Sequence, residues 1–196
     1  MKTKRMFLAA AALSLLLSGC GAVNDVDTTT VVIKKDGAIE ENIVTDFDKD
    51  YYSVEGLEQM LGEQIQAYNQ KAGADTVKLL SVEEKEGENR VKAKIAYSAG
   101  EDYSQIHNQV FFSGTVSDAY NAGYAFVPMI DQESGAAVSE GDILELGSKK
   151  IVISEEAVNI SVSGKISHVS EGVSLMDKKT AVLPDDGEKL SYVIYE

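Results

Sequence analysis

Ser53-Val54-Glu55-Gly56-Leu57-Glu58-Gln59-Met60-Leu61-Gly62-Glu63-Gln64-Ile65-Gln66-Ala67-Tyr68-Asn69-Gln70-Lys71-Ala72-Gly73 is the stretch on which the fold class turns. Val54, Leu57, Met60, Leu61, Ile65 and Tyr68 recur at helical spacing, while Glu55, Glu58, Gln59, Glu63 and Gln66 take the opposite side. That period predicts an amphipathic helix with a single apolar stripe. Ser53 offers a side-chain oxygen to the free N–H groups of the first turn, and Gly73 supplies the stop. The polar face is acidic rather than basic, so the stripe is expected to pack on a sheet and not on a membrane surface.

Strand-like segments lie on both sides of this helix. Thr30 to Lys34 is rich in β-branched residues, Lys35-Asp36-Gly37 is a turn signal, and Ala38 to Phe47 resumes in extended character, which predicts a hairpin. Thr76 to Glu84 and Arg90 to Tyr97 form a second strand pair around the charged turn Lys85 to Asn89. Asp102 to Asn108 reads as a helical turn, and Gln109 to Gly114 as a strand buried through Val110, Phe111 and Phe112. Thr115-Val116-Ser117-Asp118 matches a capping box and opens a short helix that Gly123 closes.

From Ile143 onward no helical pattern survives. Val158, Ile160 and Val162 alternate with Asn159, Ser161 and Ser163, the period of two that marks a half-buried strand. Ile151 to Ile153, Lys165 to Val169, Thr180 to Leu183 and Leu190 to Tyr195 are its expected companions, punctuated by Gly164, Gly172 and Pro184 to Gly187. The fold class is therefore α+β: one amphipathic helix and a short helix packed on a largely antiparallel sheet, with a strand-rich C-terminal third.

The first twenty residues have a different character. Lys2, Lys4 and Arg5 precede an almost wholly apolar run from Met6 to Leu17. As a helix this run is about 18 Å long, short of a hydrocarbon core of roughly 30 Å. A basic start, a short apolar run and small residues after it describe an export signal. Leu17-Ser18-Gly19-Cys20 resembles the lipobox of bacterial lipoprotein precursors. That resemblance implies cleavage after Gly19, a diacylglyceryl group on the Cys20 sulfur, and a protein held at the outer side of a cell membrane. A two-chain lipid anchors firmly, whereas one chain alone binds only marginally.

The expected organisation is thus a signal peptide over 1–19, a lipid-anchored tether over 20–29, and a single acidic α+β domain over 30–196, with any sub-boundary near 135–142. At about 3.3 Å per residue the tether reaches roughly 30 Å. The chain as a whole resembles small lipoproteins of Gram-positive gut anaerobes. The likeness is carried by the lipobox, by Phe111 to Val116 leading to Ala122-Gly123-Tyr124, and by Gly164 to Ser170. It implies a location and no particular activity.

The precursor carries a net charge of −14, and its leader holds three basic residues and no acidic ones. Without the leader, 15 basic residues face 32 acidic ones, for a net −17. Such a surface repels nucleic acid and anionic headgroups, so no nucleic-acid partner is expected. Cys20 is the single cysteine, which excludes an internal disulfide framework and a thiolate nucleophile in the domain.

Asp46, Asp48 and Asp50 resemble the opening of a calcium-binding EF-hand loop, where alternate carboxylates converge on the ion. The pattern then departs: Tyr51 stands where the loop needs glycine, and Leu57 where it needs a bidentate glutamate. A surface loop leading into the helix is the expectation, with calcium as the alternative cofactor. No Gly-x-Ser-x-Gly elbow and no Ser-x-x-Lys pair occurs. His107 lies in a polar stretch and is expected to be solvated, whereas His168 shares strand parity with Ile166 and is expected at the border of the core. Two separated histidines do not suit zinc, and Gly164-Lys165 lacks the rest of a phosphate-binding loop. Tyr51-Tyr52 and Tyr120 with Tyr124 are candidates for an amphipathic contact surface.

The absence of a catalytic signature, set beside the export address, points to a non-enzymatic binding or interaction module at the cell surface, with a protein or cell-wall partner. The alternative is an envelope hydrolase using carboxylates or a histidine, which requires His107 or His168 in a concave pocket within reach of a carboxylate or hydroxyl.

Overall fold

The computed structural model describes residues 27–85, 87–185, 187 and 189–196. The signal segment, Cys20 and most of the tether lie outside the described residues. Among the described residues the class is α+β, with four helices and two mostly antiparallel sheets. Strand β1 (Thr30–Ile33) turns through Gly37, at φ 90°, into β2 (Ile39–Asp46). Helix α1 (Val54–Ala72) follows. The Gly56 N–H donates to Ser53 Oγ at 3.0 Å at its start, and Gly73 closes it in the left-handed region at φ 73°. β3 (Val77–Lys85) and β4 (Arg90–Tyr97) form the second hairpin, and α2 (Gly100–His107) leads into β5 (Phe111–Thr115).

Beyond these lie α3 (Val116–Asn121), β6 (Met129–Asp131), β7 (Ala137–Val138), α4 (Glu140–Leu144), β8 (Lys150–Ser154) and β9 (Asn159–Val162). β10 (Ile166–Ser170), β11 (Ser174–Leu175), β12 (Thr180–Val182) and β13 (Ser191–Tyr195) complete the chain. The capping box at Thr115 forms as expected, with Asp118 N–H donating to Thr115 Oγ1 and Thr115 N–H donating to Asp118 Oδ2, both at 3.0 Å. Helix α4 is an addition to the sequence reading. It is a single turn capped by Ser139, too short to display a period, and it occupies part of the stretch where a sub-boundary was considered.

The strands divide between two sheets instead of forming one. The first runs β11-β12-β9-β1-β2-β4-β3 and the second β5-β8-β13-β10-β6-β7. The supposed companions at the C-terminal end separate, β9 and β12 going to the first sheet and β8, β10 and β13 to the second. β9 lies parallel to β1, pairing Val31 with Ile160. The chain crosses from one sheet to the other at Ser163-Gly164-Lys165. A Cβ on Gly164 would overlap the Glu196 carbonyl, so the close approach of the last strand requires glycine there.

Two cores result. Registers place Val31, Ile33, Ile39, Glu41, Ile95 and Tyr97 on one face of the first sheet. This face shares a core with α1, α2 and the Val152, Val193 and Tyr195 face of the second sheet. Ile151, Ile153, Tyr192 and Ile194 point the other way and are covered by Val116, Ala119 and Ile143 of α3 and α4. β13 is buried at every residue because it lies between the two cores. Two expectations about burial are corrected here. Ser161 is buried as well as its apolar neighbours, since β9 is an inner strand between β1 and β12. Val110 is 37% exposed, since it precedes β5, where Phe111 enters the first core and Phe112 packs half-buried on the second.

Candidate functional site

Helix α1 stands off the sheet it covers. Of the apolar stripe, Ile65 alone reaches full burial; Val54, Leu57, Leu61 and Tyr68 are half-buried, and Met60, expected inside, is 48% exposed. The unfilled space below the helix opens toward α2 as a cleft of about 480 Å³. Its floor is β2 and β4, through Glu41, Ile43, Ile95 and Tyr97; α1 contributes Leu61, Gln64, Ile65, Ala67 and Tyr68, and α2 contributes Gln105, Ile106 and His107.

Three polar groups converge on the floor. Tyr97 Oη donates to Glu41 Oε2 at 2.6 Å, and His107 Nε2 donates to the same oxygen at 3.2 Å. Tyr97 Oη and His107 Nε2 lie 3.2 Å apart. The Glu41 side chain is 3% exposed and that of His107 24%, so the carboxylate is deep and the imidazole bridges it to the opening. Tyr103 of α2, fully buried, stacks on His107 at 4.3 Å between ring centroids and meets Tyr97 edge-on at 5.2 Å. Its hydroxyl donates to Glu156 Oε2 at 2.6 Å, from the connection between β8 and β9. The expectation of a solvated His107 is corrected: α2 turns that residue inward, onto two groups distant in sequence.

Burial works against the charged form of His107. The hydrogen bond to Glu41 and the charges of Glu41 and Glu156 outweigh it and raise the imidazole above its ordinary value. Burial, followed by the same two carboxylates, pushes both Tyr97 and Tyr103 far above the usual phenol range, so each is a permanent donor. Asp102 fastens the end of the cleft: Tyr68 Oη and Thr76 Oγ1 donate to its Oδ1 at 2.9 and 2.7 Å, and the Ala99 N–H donates to its Oδ2 at 3.1 Å. Burial and then Asp102 push the Tyr68 phenol up to about 12.

His168, within β10 of the second sheet, is 8% exposed, but the parity expected with Ile166 is corrected: a bulge between them pairs Ile166 with Tyr195 and His168 with Ile194, on the opposite face. Its Nε2 lies 3.3 Å from Asp131 Oδ2 and its Nδ1 2.9 Å from Ser167 Oγ. Burial lowers its basicity; the Asp131 charge opposes this and Lys149 reinforces it. Asp131 is held below the usual carboxylate range chiefly by its hydrogen bonds from Ser134, in the turn between β6 and β7. No described hollow includes this pair.

Asp46 ends β2 opposite Arg90, and Asp48 pairs with Lys49 at 3.1 Å. The fold does not gather Asp46, Asp48 and Asp50; among the described residues no group of three or more His, Cys, Asp or Glu is placed to hold a metal ion. Beside them, however, Tyr52 meets Phe47 at a tilt and Tyr51 edge-on, at 5.2 and 4.9 Å between centroids. With Leu57, Met60 and Val91 they line a hollow of about 380 Å³ whose rim, Tyr51, is 80% exposed. Tyr120 and Tyr124 do not make a matching surface: Tyr120 is exposed, but Tyr124 packs on Phe112 at 5.2 Å. A third hollow, about 610 Å³ at the C-terminal end of α1, gathers no charged cluster; its Asn69 amide is bonded to both backbone groups of Val77.

Glu41, Tyr97, Tyr103 and Glu156 were not singled out as site residues from the sequence. A signal for the first was present: Glu41 shares the parity of Ile39 and Ile43, an acid on the apolar face of a strand. No protein-family model, curated protein or solved structure matches the chain.

Proposed function

We propose that the protein is a lipid-anchored, extracytoplasmic binding protein that holds a small ligand in the cleft between α1 and α2. The observation that carries this reading is the cleft's make-up: apolar walls of Ile43, Leu61, Ile65 and Ile95 around three convergent polar groups. Its volume lies within the ~300–1,000 Å³ typical of small-molecule sites, which commonly pair apolar linings with a few fixed polar groups. The exposed Tyr51 and Tyr52, in contact with the half-buried Phe47, give the same molecule an amphipathic surface for a protein or cell-wall partner.

The uncharged dye Nile red tests the cleft. The full chain is expected to bind it with a rise in fluorescence, and Ala67→Trp, which fills the cleft from an exposed helix position, to weaken binding about tenfold or more. A wild-type chain that leaves the dye dark, or a variant that binds it equally well, would refute the reading. The address is tested separately by Cys20→Ser, which is expected to release the protein from washed membranes into the soluble fraction. Retention of the variant would remove the lipid anchor from the proposal.

A second reading draws on one observation, the His107 to Glu41 contact inside a concave site. It makes the protein an envelope hydrolase in which Glu41 orients His107 as general base toward water. Among the described residues no Ser, Thr or Cys lines the cleft, so this reading has there no side-chain hydroxyl or thiol nucleophile apart from the tyrosines. The binding reading needs fewer parts.

A further inference from the structure

We infer that the ligand of the cleft is an organic ammonium, a primary amine carried on an apolar body; the inference rests on the binding reading above and narrows it to one chemical class. Charge on the floor comes first. Glu41 reaches the cleft from β2, Glu156 stands behind Tyr103, and Asp102 closes the far end from α2. Among the described residues lining the cleft the one cationic side chain is His107, and the tyrosines Tyr68, Tyr97 and Tyr103 stay neutral donors. A protonated His107 offsets Glu41 among the lining residues, so the negative field at the floor comes from Glu156 and Asp102 just outside the lining, and the net charge of −14 adds attraction for a cation at longer range.

Hydrogen bonding narrows the choice further. Both bonds to the Glu41 carboxylate, from Tyr97 and from His107, fall on Oε2, so Oε1 is the acceptor left for a ligand. A carboxylate this deeply buried gains most from a charged donor, because such bonds are about twice as strong as neutral ones. A carboxylate or phosphate ligand would meet like charge. A neutral apolar ligand would leave the oxygen unsatisfied. Around these polar groups, Ile43, Leu61, Ile65 and Ile95 offer no partner for a second polar group, so the rest of the ligand is apolar. Gln64, Gln105 and the Tyr68 hydroxyl, itself bonded to Asp102, stand among the described lining residues to meet a polar far end.

Because His107 competes for Glu41, its proton opposes the ligand's. As pH rises through the titration of His107, the imidazolium charge leaves the floor while an alkylamine, with an ordinary value of about 10.4, stays charged. Amine affinity is expected to rise over that interval, and the affinity of an uncharged analogue to stay level.

The test compares 4-phenylbutylamine with 4-phenylbutanol, which share a body and differ in the head, by calorimetry on the full chain. The amine is expected to bind about tenfold or more tightly than the alcohol. Glu41→Gln is expected to erase that preference and His107→Gln to enlarge it, two opposite changes that a general loss of folding cannot produce. Equal affinities for the two compounds on the wild-type chain would overturn the ammonium and leave the cleft as a binding site. A preference that survives Glu41→Gln would overturn the assignment of Glu41 as its acceptor. If neither compound binds, and Nile red fails as well, the cleft itself is overturned.

Discussion

Tyr103→Ala lowers the unfolding free energy by about 4 kcal/mol, the range found when a large buried aromatic is cut back to a methyl group. The ring is wholly buried and touches Tyr97, His107 and Phe111, so its removal opens a void at the junction of α2, β4 and β5. The effect should exceed that of a single aliphatic truncation, because edge-to-face and stacked rings add roughly 0.5–1.5 kcal/mol each beyond their buried area. Tyr103→Phe retains the ring and removes the bond to Glu156, with an expected loss of about 1–2 kcal/mol. Denaturant titration of the three proteins checks both values. A loss below about 1 kcal/mol for the alanine variant would mean that α2 does not rest on this ring.

Glu41→Ala is expected to cost about 3 kcal/mol near neutral pH, the lower end for breaking a buried pair, since His107 keeps some access to solvent. The substitution strands the Tyr97 hydroxyl and the His107 imidazole and leaves a void in the cleft floor. Its cost depends on pH with a definite sign. The folded state raises His107 above the ordinary value of 6.5, so the stabilisation from its charged form is fully present below that value and is lost as pH rises through the raised one. The difference between wild type and variant is therefore largest in mildly acidic solution and shrinks in alkaline solution. Melting curves of both proteins at about pH 5.5 and about pH 8.5 read this directly. A gap that widens with pH would show that His107 is not the partner whose charge Glu41 compensates.

The helix from Ser53 to Gly73 was legible in the sequence to within a residue at each end, because its period, its cap and its stop act between near neighbours. The same holds for the turn at Gly37, the hairpin of β3 and β4, and the capping box at Thr115. All of these are decided within four or five residues or by one tight turn. Met60 marks the limit of that reading. Its place in the stripe was correct, but how closely a helix approaches its sheet depends on side chains elsewhere, and Met60 ends 48% exposed in the hollow beside Phe47 and Tyr52.

The sequence by itself therefore determined the local elements, the acidic surface and the expectation of export. The tertiary structure alone decided which strands share a sheet and which polar side chains meet. A period of two is the same whether a strand joins β1 or β13, so the division of β8 to β13 between two sheets could not be read from it. Glu41 and His107 lie 66 residues apart, and Tyr103 and Glu156 lie 53 apart. Contacts of that range exist only once the chain has closed on itself. They are held there because a buried carboxylate is stable only beside donors that the rest of the fold brings to it.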